Sequence, residues 1–124
     1  MAGTIVADTI QDGAGNSTSM DNAIYGSAKA WVNFNSTSGT SCVIRASYNV
    51  SSVTYTSGGN YTVNFTNAFA DTNYALAGSA YWGGTVAGTI GIITPATGTC
   101  VIQTARTDSM TATNMLYACA SFFR

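Results

Sequence analysis

Histidine and glutamate are missing from this chain, and charge of either sign is scarce: Lys29, Arg45, Arg106 and Arg124 stand against Asp8, Asp12, Asp21, Asp71 and Asp108 in 124 residues. Without histidine there is no ordinary general base, no histidine-oriented nucleophile and no imidazole metal ligand. Four scattered cations do not make the clustered footprint that phosphate contact needs, so nucleic acid is not an expected partner. Gly and Thr interrupt the apolar runs every few residues, and none reaches the length of a membrane span. Membrane insertion is therefore not expected. The opening residues carry no basic segment followed by a long apolar stretch, which argues against a secretory leader.

The three cysteines, Cys42, Cys100 and Cys119, lack the close spacing of a disulfide framework or a zinc site and read as small buried hydrophobes, although one pair could bridge facing strands. No glycine-rich phosphate loop with a lysine exists; Gly58-Gly59 and Gly83-Gly84 read as hairpin glycines. Asp71 and Asp108 invite two chemical readings, a glycosidase pair or, with Asn73, a calcium site. The plainer reading is that each caps its own turn. On this accounting the chain is not an enzyme and takes no metal or cofactor.

What the chain does have is alternation. From Ser27 onward, apolar and polar residues exchange every second position, and turn signals recur at the spacing of an antiparallel all-β domain. Ala28, Ala30, Val32 and Phe34 make one face of a first strand, with Trp31 and Asn33 on the other. Ile44, Ala46 and Tyr48 are expected to share a face, opposite Val43 and Arg45. Thr56-Ser57-Gly58-Gly59-Asn60 closes the clearest hairpin, and Tyr61, Val63 and Phe65 resume the period of two after it. The last strand is read from Met115 to Phe123. Alanine makes helices the competing reading for residues 71–80 and 112–120, but threonine, tyrosine and the period of two outweigh it. The expected fold is an antiparallel β-sandwich, jelly-roll-like, of seven or eight strands.

Residues 1–26 read differently. One short alternating run, Thr4 to Ile10, leads to the turn formers Asp12 to Asn16 and a Ser/Thr stretch. Such a piece cannot bury itself, and the expectation is an extended N-terminal arm, 1–26, ahead of a sandwich domain, 27–124. Charged residues are 7% of this chain against about 25% in ordinary globular domains. A neutral, hydroxyl-rich exterior on a small domain points to a homo-oligomer. Seam candidates are Trp31, Val43, Met115, Tyr117 and Phe123. Exposed aromatics near turns, Tyr55, Tyr81 and Trp82, together with Asn60, are candidates to contact glycan.

Several segments resemble a module of tail-fibre-like and other virion structural proteins of tailed bacteriophages. They are Ala30-Trp31-Val32-Asn33-Phe34, then Ile44 through Val53, then Gly59-Asn60-Tyr61-Thr62-Val63-Asn64-Phe65, then Asp71-Thr72-Asn73-Tyr74-Ala75. The opening Gly3 to Asp12 is similar to the start of such proteins. The resemblance implies a β-sandwich, frequently trimeric, on the virion surface. The arm would be held by capsid or tail proteins, with Thr4, Ile5, Val6 and Ile10 as attachment residues, and the domain would face host surface glycan. It implies no catalytic set. Repeats, heptads and a triple-helical shaft are missing, so a spike, a knob or a capsid decoration protein without a receptor role fits the same pattern.

Overall fold

The computed structural model describes residues 3–37, 39 and 41–124. Met1 and Ala2 of the expected arm, and Ser38 and Thr40, lie outside the described residues. The N-terminal part is more structured than an extended arm. Strands β1 (Thr9–Gln11) and β2 (Ser17–Ser19) form a small antiparallel hairpin. Its turn is built by Asp12, whose Oδ1 accepts from the Ala14 and Asn16 amides at 2.9 Å, while Gly15 takes a positive φ of 89°. Helix α1 (Met20–Gly26) follows, capped by Ser19 Oγ, which accepts from Asn22 N, with Asp21 in its first turn. It buries no residue, so no apolar stripe announces it in the sequence; only the cap does.

Eight further strands make one antiparallel sheet: β3 (Ala30–Asn35), β4 (Val43–Tyr48), β5 (Val50–Ser57), β6 (Asn60–Phe65), β7 (Ala75–Gly83), β8 (Val86–Pro95), β9 (Thr99–Arg106) and β10 (Tyr117–Phe123). Their order is β4-β3-β10-β7-β8-β9-β6-β5. The return from β9 lays β10 beside β7, which is the winding of a Greek key. The fold is all-β, and the sheet rolls into a nearly closed barrel. Its two free edges, β4 and β5, are consecutive strands joined at Asn49. That corner residue takes a φ of 54°, a conformation asparagine tolerates better than most residues. Its side chain donates to Lys29 O and Asn67 O, both at 3.1 Å, and accepts from Asn67 N at 2.8 Å.

Strand direction gives the barrel two distinct ends. The chain enters at a proximal end, where Lys29 N donates to Phe122 O. The Asn49 corner, the 66–74 connection, the 96–98 turn and Arg124 gather there. The Gly58-Gly59 and Gly83-Gly84 hairpins, Ser36, Thr37, Ser41 and Cys42, and the segment 107–116 form the distal end.

The interior is filled by the alternation read from the sequence: Ala30, Val32 and Phe34 from β3, Tyr61, Val63 and Phe65 from β6, and Ala118, Ala120 and Phe122 from β10 are buried. Phe69 closes the proximal end against Phe65 and Tyr74, at ring distances of 4.7 and 4.8 Å. At the distal end Tyr61 is a hub: its hydroxyl is 2.7 Å from Ser36 Oγ and donates to Asn114 Oδ1 at 3.0 Å.

Two expectations fail here, each for a local reason. A bulge shifts the β3/β4 register between Asn33 and Phe34, so Ile44 faces Phe34 while Ala46 and Tyr48 pair with Asn33 and Trp31 on the outer face. Ile44 therefore does not share a side with Ala46 and Tyr48. Met115, read as an outward seam residue on the last strand, is 0% exposed. Residues 113–116 precede β10 and cross the distal opening, where Met115 N donates to Ser36 Oγ at 2.9 Å and Ser36 N to Met115 O at 3.0 Å.

All three cysteines are free. Burial pushes the Cys42 thiol up from 9.0 to about 11. Burial also raises Cys100, Tyr61 and Tyr74. Each group stays neutral in the fold and ionises more readily once unfolded. The Cys42 contribution is thus fully present below about pH 9 and is lost as pH climbs from there toward 11, and the buried tyrosines, raised from 10.0, extend the loss to higher pH. Urea midpoints measured across that range are expected to hold level and then fall. A midpoint that rises above pH 9 would contradict the burial of these groups.

Candidate functional site

Asp71 and Asp108 sit at opposite ends of the barrel, separated by the length of β7, roughly 25 Å. Asp71 accepts from Arg124 Nε at 2.8 Å and from Asn73 N at 2.8 Å; Asp108 accepts from Arg106 Nε at 2.8 Å. The guanidinium beside each holds its carboxyl below the usual range. They do not form a carboxylate pair, and among the described residues no cluster of three or more His, Cys, Asp or Glu could hold a metal. No helix among the described residues is long and apolar enough to cross a membrane.

The seam candidates other than Met115 do come together. Trp31, Val43, Tyr117 and Phe123 lie on the outer face of β4, β3 and β10, because each occupies the phase opposite the buried positions. Trp31 and Phe123 are toward the proximal end; Val43 and Tyr117 are toward the distal end. Between them run small or uncharged residues, Cys119, Ser121, Ala77 and Ser79, paired across β10 and β7. This outer face carries almost no charge.

The glycan candidates are split by the fold. Tyr81 pairs with Tyr117 across β7 and β10, and their rings are 6.4 Å apart. Trp82 follows on a bulge at the distal end and is 41% exposed. Tyr55, by contrast, packs inward, its ring 6.2 Å from Tyr61. Asn60 uses its side chain internally, donating to Ser57 Oγ at 3.0 Å and accepting from Gln103 Nε2 at 2.9 Å. The Ala96 to Thr99 turn lies at the proximal end, away from the Gly58-Gly59 and Gly83-Gly84 hairpins.

Two arginines complete the distal surface, and sequence reading had given neither a role. Arg45 lies with its guanidinium carbon 3.9 Å from the Tyr117 ring centre, and Arg106 at 4.1 Å from that of Trp82. Only long-range pairing brings them there, so no local pattern could have marked them. The arrangement supplies ring faces and fixed hydrogen-bond donors, the chemistry of contact. The attachment candidates stand in solvent: Ile5 and Val6 are 86% and 94% exposed, and Ile10 is exposed on β1. A shallow hollow of about 400 Å³ on the β1–β2 hairpin, lined by Ile10, Gln11, Asp12, Asn16, Ser17 and Thr18, is open to solvent and far from the aromatic row in sequence.

Fold and surface together define a small all-β barrel-like domain with an exposed apolar N-terminal segment and an aromatic and arginine-bearing distal end. Comparison with protein-family models, with curated proteins and with solved structures finds no match for this chain.

Proposed function

We propose that this chain is a non-catalytic structural protein of a tailed-phage virion, of tail-fibre or spike type, held on the particle by residues 1–26 and presenting the domain of residues 27–124 outward. The observation that carries this reading is the molecule's polarity. Apolar side chains with no burial of their own precede the proximal end, and the aromatic and arginine pairs occupy the distal one. The finer fold description we propose is a jelly-roll-like sandwich, with β4-β3-β10-β7 facing β8-β9-β6-β5. Its support is the contact of Phe65 on β6 with Phe122 on β10 across the interior, 5.1 Å between ring centres.

A second reading, a capsid decoration protein without a receptor role, is favoured by the face of β5, β6 and β9. There Asn64 donates to Ser52 Oγ and Thr54 Oγ1 at 3.0 and 3.1 Å, so the polar groups satisfy one another. Cryo-electron microscopy of the intact particle tests both. Density at the tail tip or collar supports the spike. Density at capsid threefold or hexamer-centre positions supports decoration, and its absence from the particle overturns both.

Either role is proposed to use a homo-oligomer, a trimer, whose seam is the proximal half of the outer face around Trp31 and Phe123. Trp31→Asp would place an unpaired charge there and is expected to convert the oligomer to monomers in analytical ultracentrifugation. An unchanged sedimentation profile would remove this seam.

A further inference from the structure

Arg45 is set apart from the other cations. Arg106 pairs with Asp108 and Arg124 with Asp71, and Lys29 Nζ donates to Ile24 O and Ser27 Oγ. Among the described residues no carboxylate pairs with Arg45. The side chain is nevertheless held: Nη2 donates to Leu116 O at 2.7 Å and Nη1 to Asn33 Oδ1 at 3.2 Å, which lays the guanidinium on the Tyr117 ring. Tyr81 continues the row and is fixed in turn by its hydroxyl, which donates to Gly84 O at 2.7 Å. Tyr117 and Tyr81 remain 45% and 36% exposed.

A pre-set cation beside two fixed rings matches one kind of partner. Arg45 covers one face of Tyr117, so the sugar's C–H groups would lie against the exposed part of Tyr81 and the open edge of Tyr117, while a carboxylate or phosphate on the sugar meets the remaining guanidinium N–H groups. A single cation is too little for a nucleic acid, whose affinity grows with each phosphate neutralised. We infer that Arg45, Tyr117 and Tyr81 form a binding site for an acidic saccharide, one bearing carboxylate or phosphate groups. The inference rests on the proposed reading of the distal end as the outward contact surface.

Calorimetric titration of the intact chain at low salt provides the test, with oligogalacturonate, oligosialate and a phosphorylated oligomannose as probes and methyl-esterified oligogalacturonate as the neutral control. At least one acidic probe is expected to bind, and about tenfold tighter than the ester if it is the uronate, with affinity falling as salt rises. The first two probes report carboxylate recognition and the third phosphate. Arg45→Gln and Tyr81→Ala are each expected to weaken binding about tenfold. Tyr81→Ala leaves both Arg45 hydrogen bonds in place, so it decides the matter if Arg45→Gln fails to fold, which thermal melting will report. Failure of all three acidic probes, equal binding of uronate and ester, or wild-type binding by folded Tyr81→Ala overturns the inference. So does an oligothymidylate that binds as tightly as the sugars. Particle microscopy is a separate readout: a chain located on the virion that ignores all acidic probes keeps the virion role and loses this site.

Discussion

Gly59→Ala is expected to destabilise the domain by about 3 kcal/mol or more, enough to leave much of it unfolded. Gly59 has a φ of 75°, and a Cβ there would lie 2.4 Å from Thr113 N, 2.6 Å from Thr104 O and 2.8 Å from Ala112 C. These are backbone atoms already committed to one another: Thr104 N donates to Gly59 O at 2.7 Å and Thr113 N to Thr104 O at 3.0 Å. Relief requires moving the end of β9 or the crossing segment that carries Met115 into the core. The adjacent Gly58 has open space at its Cβ position, so Gly58→Ala is expected to change stability by no more than about 0.5 kcal/mol. Urea unfolding of both variants gives the comparison. Equal midpoints would show that the distal closure is not as tight as described.

Phe122→Ala is expected to cost about 3–5 kcal/mol. Its ring is fully buried and meets Phe65 and Tyr74 edge-on at 5.1 and 5.8 Å. Removing it opens a cavity where strands from both halves of the rolled sheet touch, and the surrounding rings cannot all close in. Phe123, one residue on, faces outward opposite Ala75. Phe123→Ala is expected to leave the unfolding of the monomer within about 1 kcal/mol of the parent while weakening the proposed oligomer. A large monomer effect for Phe123 and a small one for Phe122 would mean that the phase of β10 is reversed.

These two pairs of neighbours show what was legible. The hairpin glycines and the inward phase of β3, β6 and β10 could be read because both are local properties, a turn conformation and a two-residue period. Helix α1 was not legible as a helix because its residues form no apolar stripe. The fate of Ala46 and Tyr48 was hidden by one bulge, which reverses the side on which every residue after it lies. Met115 shared the period of β10 but not its backbone, since the Ser36 hydroxyl captures its amide ahead of the strand.

The candidate surface was legible only in part. Tyr81, Trp82 and Tyr117 stood out as large aromatics in exposed phases, yet nothing in the chain joined the first two to the third. Arg45 lies 72 residues before Tyr117 in the numbering, and a Greek-key return is needed to place β10 next to β3. Tyr55, like Tyr81 a strand tyrosine shortly ahead of a Gly-Gly turn, faces the interior.

By itself the sequence determined that this protein is all-β, that it has little charge and no histidine, and which residues alternate into a core. Those properties follow from residue type and from contacts between near neighbours. The tertiary structure alone decided which loops share an end, which arginine lies on which ring, that Asp71 and Asp108 are far apart, and that Met115 is inside. Each depends on which distant strands pair and in what register, and backbone pairing carries no local signature that a reader of side chains can see.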